Sequence, residues 1–376
     1  MKIALISTSK VPSTTANSIQ VMKVCQAYRQ LGLEVTLFVP GTDPCSWKEI
    51  AVRYGLEHEF DICWIKSRRG FNRYDFICSC ITRGIKWHTD IFHSWMPQIS
   101  IFLSLIDVPI LQELHELPTG RLGNFYYKTL LKSKKKIRFL PITNALWQRY
   151  INRFGLDGKE IDYVIAPDGV DVERYFNLPS PSVARKQLNL ADQWSAVYTG
   201  HLYPGRGMKL LVKLAEALPS IQFIWVGGKP TDVEFWQNEI LIRGITNIHI
   251  TGFVNNEFIP LYQSAGNVLL MPYERNVTGS SGGNTADICS PMKMFEYMAA
   301  ERPIISSDLP VLHEVLNESN ATFCDLADEL QWQKVILDIY EQPHVYTIKA
   351  QQAKKDVQQY SWIKRSQNGL SGFVHE

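Results

Sequence analysis

Short apolar runs alternate with amphipathic stretches from one end of this chain to the other. That rhythm belongs to parallel sheets flanked by helices, because strands covered on both faces read as continuous apolar runs. Candidate strands in the first half are 2–7, 34–39, 61–65, 91–94, 109–114 and 139–142. In the second half they are 195–199, 222–226, 248–251, 268–272, 303–307 and 322–324. A chain of 376 residues exceeds one typical core, so the reading is two α/β domains of similar size. The polar, proline-rich stretch 177–182 is the expected linker. Two such domains would enclose a cleft at the carboxyl ends of both sheets, and no repeat of solenoid period intervenes.

Composition excludes several classes. Apolar residues make up 45% and charged residues 20%, as in an ordinary globular protein, and the net charge of +2 gives no case for nucleic-acid binding. The seven cysteines form no metal pattern. Cys78 and Cys80 are spaced as two residues on one strand face. An odd cysteine count, with no charged leader before the first strand, is expected of reduced thiols in the cytoplasm. The most apolar stretch, 99–105, is broken by serines and far too short to span a membrane. A basic run at 128–138 holds Lys128, Lys132, Lys134, Lys135, Lys136 and Arg138 among Leu130, Leu131 and Ile137. It reads either as a solvated basic helix end or as a face resting peripherally on anionic lipid.

The segment 290–299, Ser-Pro-Met-Lys-Met-Phe-Glu-Tyr-Met-Ala, carries the chemistry. Ser290 is expected as a helix N-cap with Pro291 in the first helical position. The free N–H groups of Met292 and Lys293, the helix dipole and the Lys293 charge would together bind an anion. Glu296 follows on the same face, where a carboxylate accepts hydrogen bonds from sugar hydroxyls. Phosphate donors beside a hydroxyl acceptor suggest a nucleoside diphosphate and its ribose; the alternative is a capped core helix. A second segment supports the first. The apolar run 196–199 enters the glycine-rich turn 200–207, and a helical pattern follows from Met208. Such turns bring backbone N–H groups against phosphate, and Arg206 would grip two phosphate oxygens. The spacing imitates a P-loop, but Arg206 and Gly207 replace the lysine and the magnesium-binding hydroxyl of that motif.

These segments and their surroundings resemble the family 4 retaining glycosyltransferases of the GT-B fold, over nearly the whole sequence. The first strand, the stretch Ala16, Asn17, Ser18 to Lys23 and the strand at 34–38 are similar to the family's opening strand, substrate loop, helix and second strand. Pro167 to Asp171 with Phe176 resembles the passage into its second domain, and 200–206 its phosphate turn. The stretch 251–254, with Phe253 and Val254, is similar to the loop that reads the nucleobase, and 290–308 resembles the donor helix and the strand after it. The resemblance implies an acceptor-side Rossmann-like domain over 1–167, a nucleotide-sugar domain over 168–355 and a final helix, 356–376, returning to the first domain. It implies Gly200, His201, Arg206, Phe253, Val254, Ser290, Pro291, Met292, Lys293 and Glu296 on the donor side. It also implies Ala16, Asn17 and Ser18 on the acceptor side.

There are departures. The first glutamate of the family's spaced pair falls on Ile288, with Asp287 beside it as a weak substitute. His201 and Arg206 stand where arginine and lysine are usual, and a subgroup with Ser-Pro-x-Lys shares the missing glutamate.

The expected reaction moves a hexose-type sugar from a nucleoside diphosphate to a glycan, lipid-linked or small-molecule acceptor, as in polysaccharide biosynthesis. Retention of configuration is implied by the family. Arg206, Lys293 and the helix end would stabilise the departing diphosphate without a metal or other cofactor. His115 lies at a strand's carboxyl end, where site residues of open sheets collect, and resembles the family histidine that bonds the transferred sugar. Arg206, Lys293 and His115 are thus the expected catalytic groups, and His93 a further acceptor-side candidate. The polar stretch 276–285 before the donor helix is expected either to order over bound donor or to remain a surface loop. Competing readings are a phosphorylase, for which no lysine signals pyridoxal phosphate, and a nucleotide- or glycan-binding protein without activity. Base, sugar and acceptor are not legible.

Overall fold

The structure, a computed structural model, describes residues 1–42, 44–67, 73–276 and 284–373. Most of the polar stretch 276–285 therefore lies outside the described residues. Among those described, twelve strands form two six-stranded sheets, and every pairing within them is parallel. The first sheet contains β1 (Lys2–Ile6), β2 (Glu34–Pro40), β3 (Asp61–Ile65), β4 (Ile91–Ser94), β5 (Ile110–Leu114) and β6 (Ile137–Pro141). The second contains β7 (Ser195–Thr199), β8 (Gln222–Val226), β9 (Ile248–Ile250), β10 (Val268–Met271), β11 (Ile304–Ser307) and β12 (Thr322–Cys324). The α/β class and the two Rossmann-like sheets expected from the apolar alternation are what the molecule has. Inner strands such as β5 and β7 are buried along their whole length, which is why they read as unbroken apolar runs.

Strand order is β3-β2-β1-β4-β5-β6 in the first sheet and β12-β11-β10-β7-β8-β9 in the second. Each order reverses direction once, between β1 and β4 and between β7 and β10. Open parallel sheets bind ligands beyond the carboxyl ends of the strands at that reversal. The chain divides into a unit of Met1–Asp168 with Trp362–Glu376, and a unit of Gly169–Ser361. The last helix, Trp362–Leu370, thus belongs to the first unit and packs on the Ala16–Gln30 helix. The stretch 177–182 lies inside the second unit, not between units; its Pro181 opens the Pro181–Gln187 helix, where a missing N–H costs nothing.

Two local expectations fail on periodicity. Cys78 and Cys80 lie in the Tyr74–Lys86 helix, where a spacing of two turns side chains to opposite sides; Cys80 is buried and Cys78 exposed. The basic run 128–138 is not one helix face. It spans the end of the Gly120–Leu130 helix, a turn and β6, and Arg138 is buried and bonded to Asp162, Gly369 and Ser371.

Candidate active site

In the second unit the turn after β7 and the start of the Met292–Ala299 helix come together at the strand reversal. Gly200 sits at φ +137, a backbone that favours glycine, and a Cβ there would lie 2.8 Å from Lys293 Nζ and displace the ammonium. Gly207, at φ +72, would drive a Cβ to 2.0 Å from the Pro272 carbonyl oxygen. The turn is pinned to the chain leaving β10 by Gly207 N–H donating to Glu274 Oε1 and Glu274 N–H donating to Gly205 O. From the other side, Trp236 Nε1 donates to Leu202 O. The helix is bolted to the sheet by Tyr297, whose hydroxyl accepts the Thr199 N–H at 2.8 Å.

Two cations meet in this frame, and aromatic rings hold them. Lys293 Nζ stands 3.8 Å from the Tyr198 ring centroid and 5.2 Å from that of Tyr273. The Arg206 guanidinium lies 4.8 Å from the Tyr273 ring and 5.0 Å from the Tyr203 ring, and donates to the Tyr203 hydroxyl at 2.7 Å. Arg206 Nε is buried without a hydrogen-bond partner. Among the described residues neither cation forms a salt bridge, and the Lys293 ammonium makes no hydrogen bond. Burial first, then Arg206, holds Lys293 well below the ordinary lysine range, against the pull of Glu296. His201 is pushed down to about 4 by burial, helped by Arg206, Lys293 and Lys229, so it is neutral at pH 7.

Glu296 is on the lysine's face one turn on, and its Oε2 accepts from Gln263 Nε2 at 3.0 Å. Gln263 is itself oriented by the Tyr175 hydroxyl, which donates to its Oε1. The helix starts one residue later than expected. Pro291 has ψ 121, so it is the cap, and Met294 N–H donates to its carbonyl. Ser290, buried just before it, therefore does not hold the N-cap position. Met292 is half-buried in the first helical position. Phe253 and Val254 follow β9 beside the Gly227–Gly252 bridge, with Phe253 44% exposed. Ile288 is buried, so its side chain does not replace the missing glutamate; Asp287 is exposed.

In the first unit the strand ends carry a different kind of cluster. Glu113 on β5 is wholly buried and accepts hydrogen bonds from three groups. Arg365 Nη2, from the final helix, reaches both carboxylate oxygens at 2.9 Å. His93 Nε2 lies 2.9 Å from Oε1, and His115 Nε2 lies 3.1 Å from Oε2. Burial alone would push the Glu113 carboxyl up. Arg365, then His115 and His93, outweigh that and hold it well below the usual carboxylate range. His115 is half-buried just past the end of β5.

His93 is completely buried, has Nδ1 3.0 Å from the Tyr28 hydroxyl and stacks on Trp95. Its burial pushes the imidazole below its ordinary value against the pull of Glu113. It is a core histidine and cannot touch an acceptor, because the strand-end position that suggested it faces into the hub rather than to solvent. Ala16, Asn17 and Ser18 form the first turn of the Ala16–Gln30 helix, capped by Thr15. Ala16 and Asn17 are exposed, with Asn17 Nδ2 donating to Ser9; Ser18 is buried and donates to the Thr15 carbonyl.

Residues 194–342 match the family model of glycosyl transferases group 1. An alpha-galactosylglucosyldiacylglycerol synthase from Streptococcus pneumoniae is 24% identical over 264 residues, 66% of this chain and 66% of that enzyme. Among solved structures, sucrose-phosphate synthase from Thermosynechococcus elongatus superposes with a TM-score of 0.73 at 19% identity, covering 97% of this chain and 96% of that one. HepE from Anabaena, solved in complex with UDP, superposes with a TM-score of 0.74 at 14% identity, covering 99% of each chain. Residues 194–342 thus carry the match to glycosyl transferases group 1, and the two parallel sheets share the GT-B fold of these solved structures.

Proposed function

We propose that the protein transfers a hexose-type sugar from a nucleoside diphosphate sugar to a carbohydrate or lipid-linked acceptor, with retention and without a metal. The observation that carries this is the pair of cations with unmet donors, Arg206 and Lys293, one glycine turn from each other. A buried guanidinium nitrogen without a partner costs free energy unless a ligand supplies an acceptor. A diphosphate supplies one, and Glu296 stands ready to accept from ribose hydroxyls. As the anomeric bond breaks, charge grows on the departing diphosphate, and these two cations are the groups that stabilise it. The diphosphate in turn takes the proton of the incoming acceptor hydroxyl, so no protein nucleophile is needed.

Gly200 and the first-turn N–H groups of Met292 and Lys293, following Ser290 and Pro291, complete the donor side. His201 contributes a neutral hydrogen-bonding ring in place of a third cation. Phe253 and Val254 are assigned to the base, and His115 to the transferred sugar. Ala16, Asn17 and Ser18 are assigned to the acceptor side. The solved UDP complex of HepE makes UDP the first probe, and the diacylglycerol enzyme from Streptococcus makes a glycolipid the first acceptor class to try.

No helix among the described residues is long and apolar enough to cross a membrane. A lipid-linked acceptor would be met at a cytoplasmic membrane surface. The lysines of 128–138 and the neighbouring Leu122 and Phe125, 66% and 60% exposed on the Gly120–Leu130 helix, suit anionic lipid there. The test is a panel of nucleoside diphosphate sugars assayed for thermal stabilisation and for hydrolysis or transfer. Stabilisation by a nucleoside diphosphate with turnover of one of its sugars is expected. Stabilisation with no turnover of any sugar, with or without acceptor, would make the protein a binder.

A further inference from the structure

The final helix returns to the first unit and puts one side chain, Arg365, into the wholly buried pocket behind His115. Arg365 Nε donates to Pro167 O at 2.8 Å, and Nη2 spans both oxygens of Glu113 and reaches Ala166 O at 3.1 Å. No water competes there, since Arg365 and Glu113 are 6% and 1% exposed. We propose that Glu113 and Arg365 are positioning residues that fix the tautomer of His115, so that Nε2 carries the proton and Nδ1 is presented as a hydrogen-bond acceptor. This rests on the assignment of His115 to the transferred sugar; its Nδ1 would accept a sugar hydroxyl.

Glu113 is ionised by its contact with Arg365, and an ionised carboxylate only accepts. Both imidazoles that touch it must therefore donate from Nε2. For His93 the other nitrogen is compatible with this, because Nδ1 lies 3.0 Å from the Tyr28 hydroxyl, which can donate to it. For His115 a competitor exists. Trp95 Nε1 donates to Gln20 Oε1 at 2.9 Å, which turns the Gln20 amide nitrogen toward His115 Nε2 at 3.5 Å. If Gln20 won, Nε2 would be the acceptor and its lone pair would face the Glu113 oxygen at 3.1 Å. The shorter, charge-assisted contact wins over the longer neutral one. Among the described residues Asp168 is the remaining charged group facing this cluster. Burial pushes its carboxyl up to about 6 against the pull of His115 and Arg365. With Nε2 committed, His115 Nδ1 has no partner among the described residues. The final helix thereby acts on the site from 252 residues away in the chain, through Arg365, without touching substrate.

The experiment is long-range proton–nitrogen NMR of the full chain with labelled histidine, with His115 assigned by its loss in His115→Ala. The nine histidines make that assignment practical. In the wild type, His115 is expected to show a protonated Nε2 and a bare Nδ1. In Glu113→Gln the side-chain amide can donate to Nε2, so protonated Nδ1 should appear. Turnover should then fall by about tenfold to a hundredfold while the donor KM holds, because positioning rather than binding is lost. Arg365→Lys keeps the buried charge but loses the fork, and should show the same split in milder form; it serves if Glu113→Gln does not fold. A wild-type His115 already protonated at Nδ1 overturns the proposal. So does a variant whose stability falls while its His115 tautomer and turnover stay as in the wild type. If the tautomer behaves as expected but His115→Ala turns over normally, the hub stands and the sugar-contact assignment of His115 fails.

Discussion

Arg206→Ala tests the donor assignment most directly. Among the described residues the guanidinium makes one hydrogen bond, to the Tyr203 hydroxyl, and lies on the Tyr203 and Tyr273 rings, with Nε unmet. Removing it forfeits about 1.5–3 kcal/mol of charge-assisted hydrogen bonding to a diphosphate. At about 1.4 kcal/mol per decade, that predicts roughly a tenfold to 150-fold weaker UDP complex. One effect opposes the loss. Arg206 is the second cause, after burial, that holds Lys293 low, so its removal lets Lys293 rise and recover charge. The measured loss should thus fall toward the lower end when the pH is raised.

The sign of the pH dependence follows. UDP prefers protonated Lys293, so wild-type affinity falls as pH climbs through a lysine pKa below the ordinary 10.5; in Arg206→Ala that fall moves to higher pH. Stability of the empty protein moves the opposite way. Its folded-state lysine pKa is below the unfolded one, so stability rises with pH between the two and the penalty is full below the folded value. The assay is calorimetric titration of wild type and variant with uridine and UDP, at two salt concentrations and across pH. Uridine affinity should hardly change, and the wild-type preference for UDP over uridine should shrink with salt. Equal weakening of uridine and UDP would refute the placement of Arg206 at the diphosphate.

Glu296→Gln should weaken uridine and UDP by similar factors, about fivefold for the loss of charge assistance, and more for ribo- than for 2′-deoxyribonucleotides; an unchanged ribose preference in titration removes Glu296 from the sugar. Transfer should persist in excess chelator, because the cations are the protein's own; loss of turnover restored by magnesium would end the metal-free reading. Binding to vesicles containing anionic lipid should require that lipid, fall with salt and weaken in Leu122→Ser with Phe125→Ser, as read by co-sedimentation. Gly207→Ala should destabilise by about 3 kcal/mol from its left-handed backbone and the Pro272 oxygen, lowering the midpoint of thermal unfolding by roughly 6–12 °C.

The strands were legible because two-sided burial leaves a mark that survives in any window of four to six residues. The departures from 61–65, 91–94, 195–199, 222–226 and 322–324 are nil, and other strands shift by one or two residues at their ends, where strand and turn compete. That Lys293, Glu296 and the glycine turn belong together was also legible, since each lies in a local pattern. What holds them was not. Tyr198 reads as an apolar-run residue and Tyr273 falls just past one, and nothing in spacing tells that their rings face Lys293. Arg365 and Glu113 carry no periodic signal, and their pairing depends on the last helix crossing back. His93 and His115 both end strands, and only packing separates the buried one from the half-buried one.

The two clusters solve opposite electrostatic problems. Around Glu113 a buried charge is fully answered inside the protein. One guanidinium and two imidazole N–H groups saturate one carboxylate, so the hub is stable without ligand and gains nothing from an anion. Around Lys293 the charge is deliberately incomplete. Aromatic faces lower the cost of placing two cations side by side, but a ring quadrupole offers roughly 0.5–2 kcal/mol where a phosphate oxygen offers a full charge. Rings also cannot take the hydrogen bonds of Nζ or of Arg206 Nε. The residue of unmet charge is therefore available to whatever anion enters, and it is largest when the anion's charge is largest. A diphosphate bonded to sugar carries less charge than the same diphosphate once the sugar has left. On the proposed donor assignment the cluster would bind the departing group more tightly than the intact donor, which is the condition for lowering the barrier rather than only filling the site.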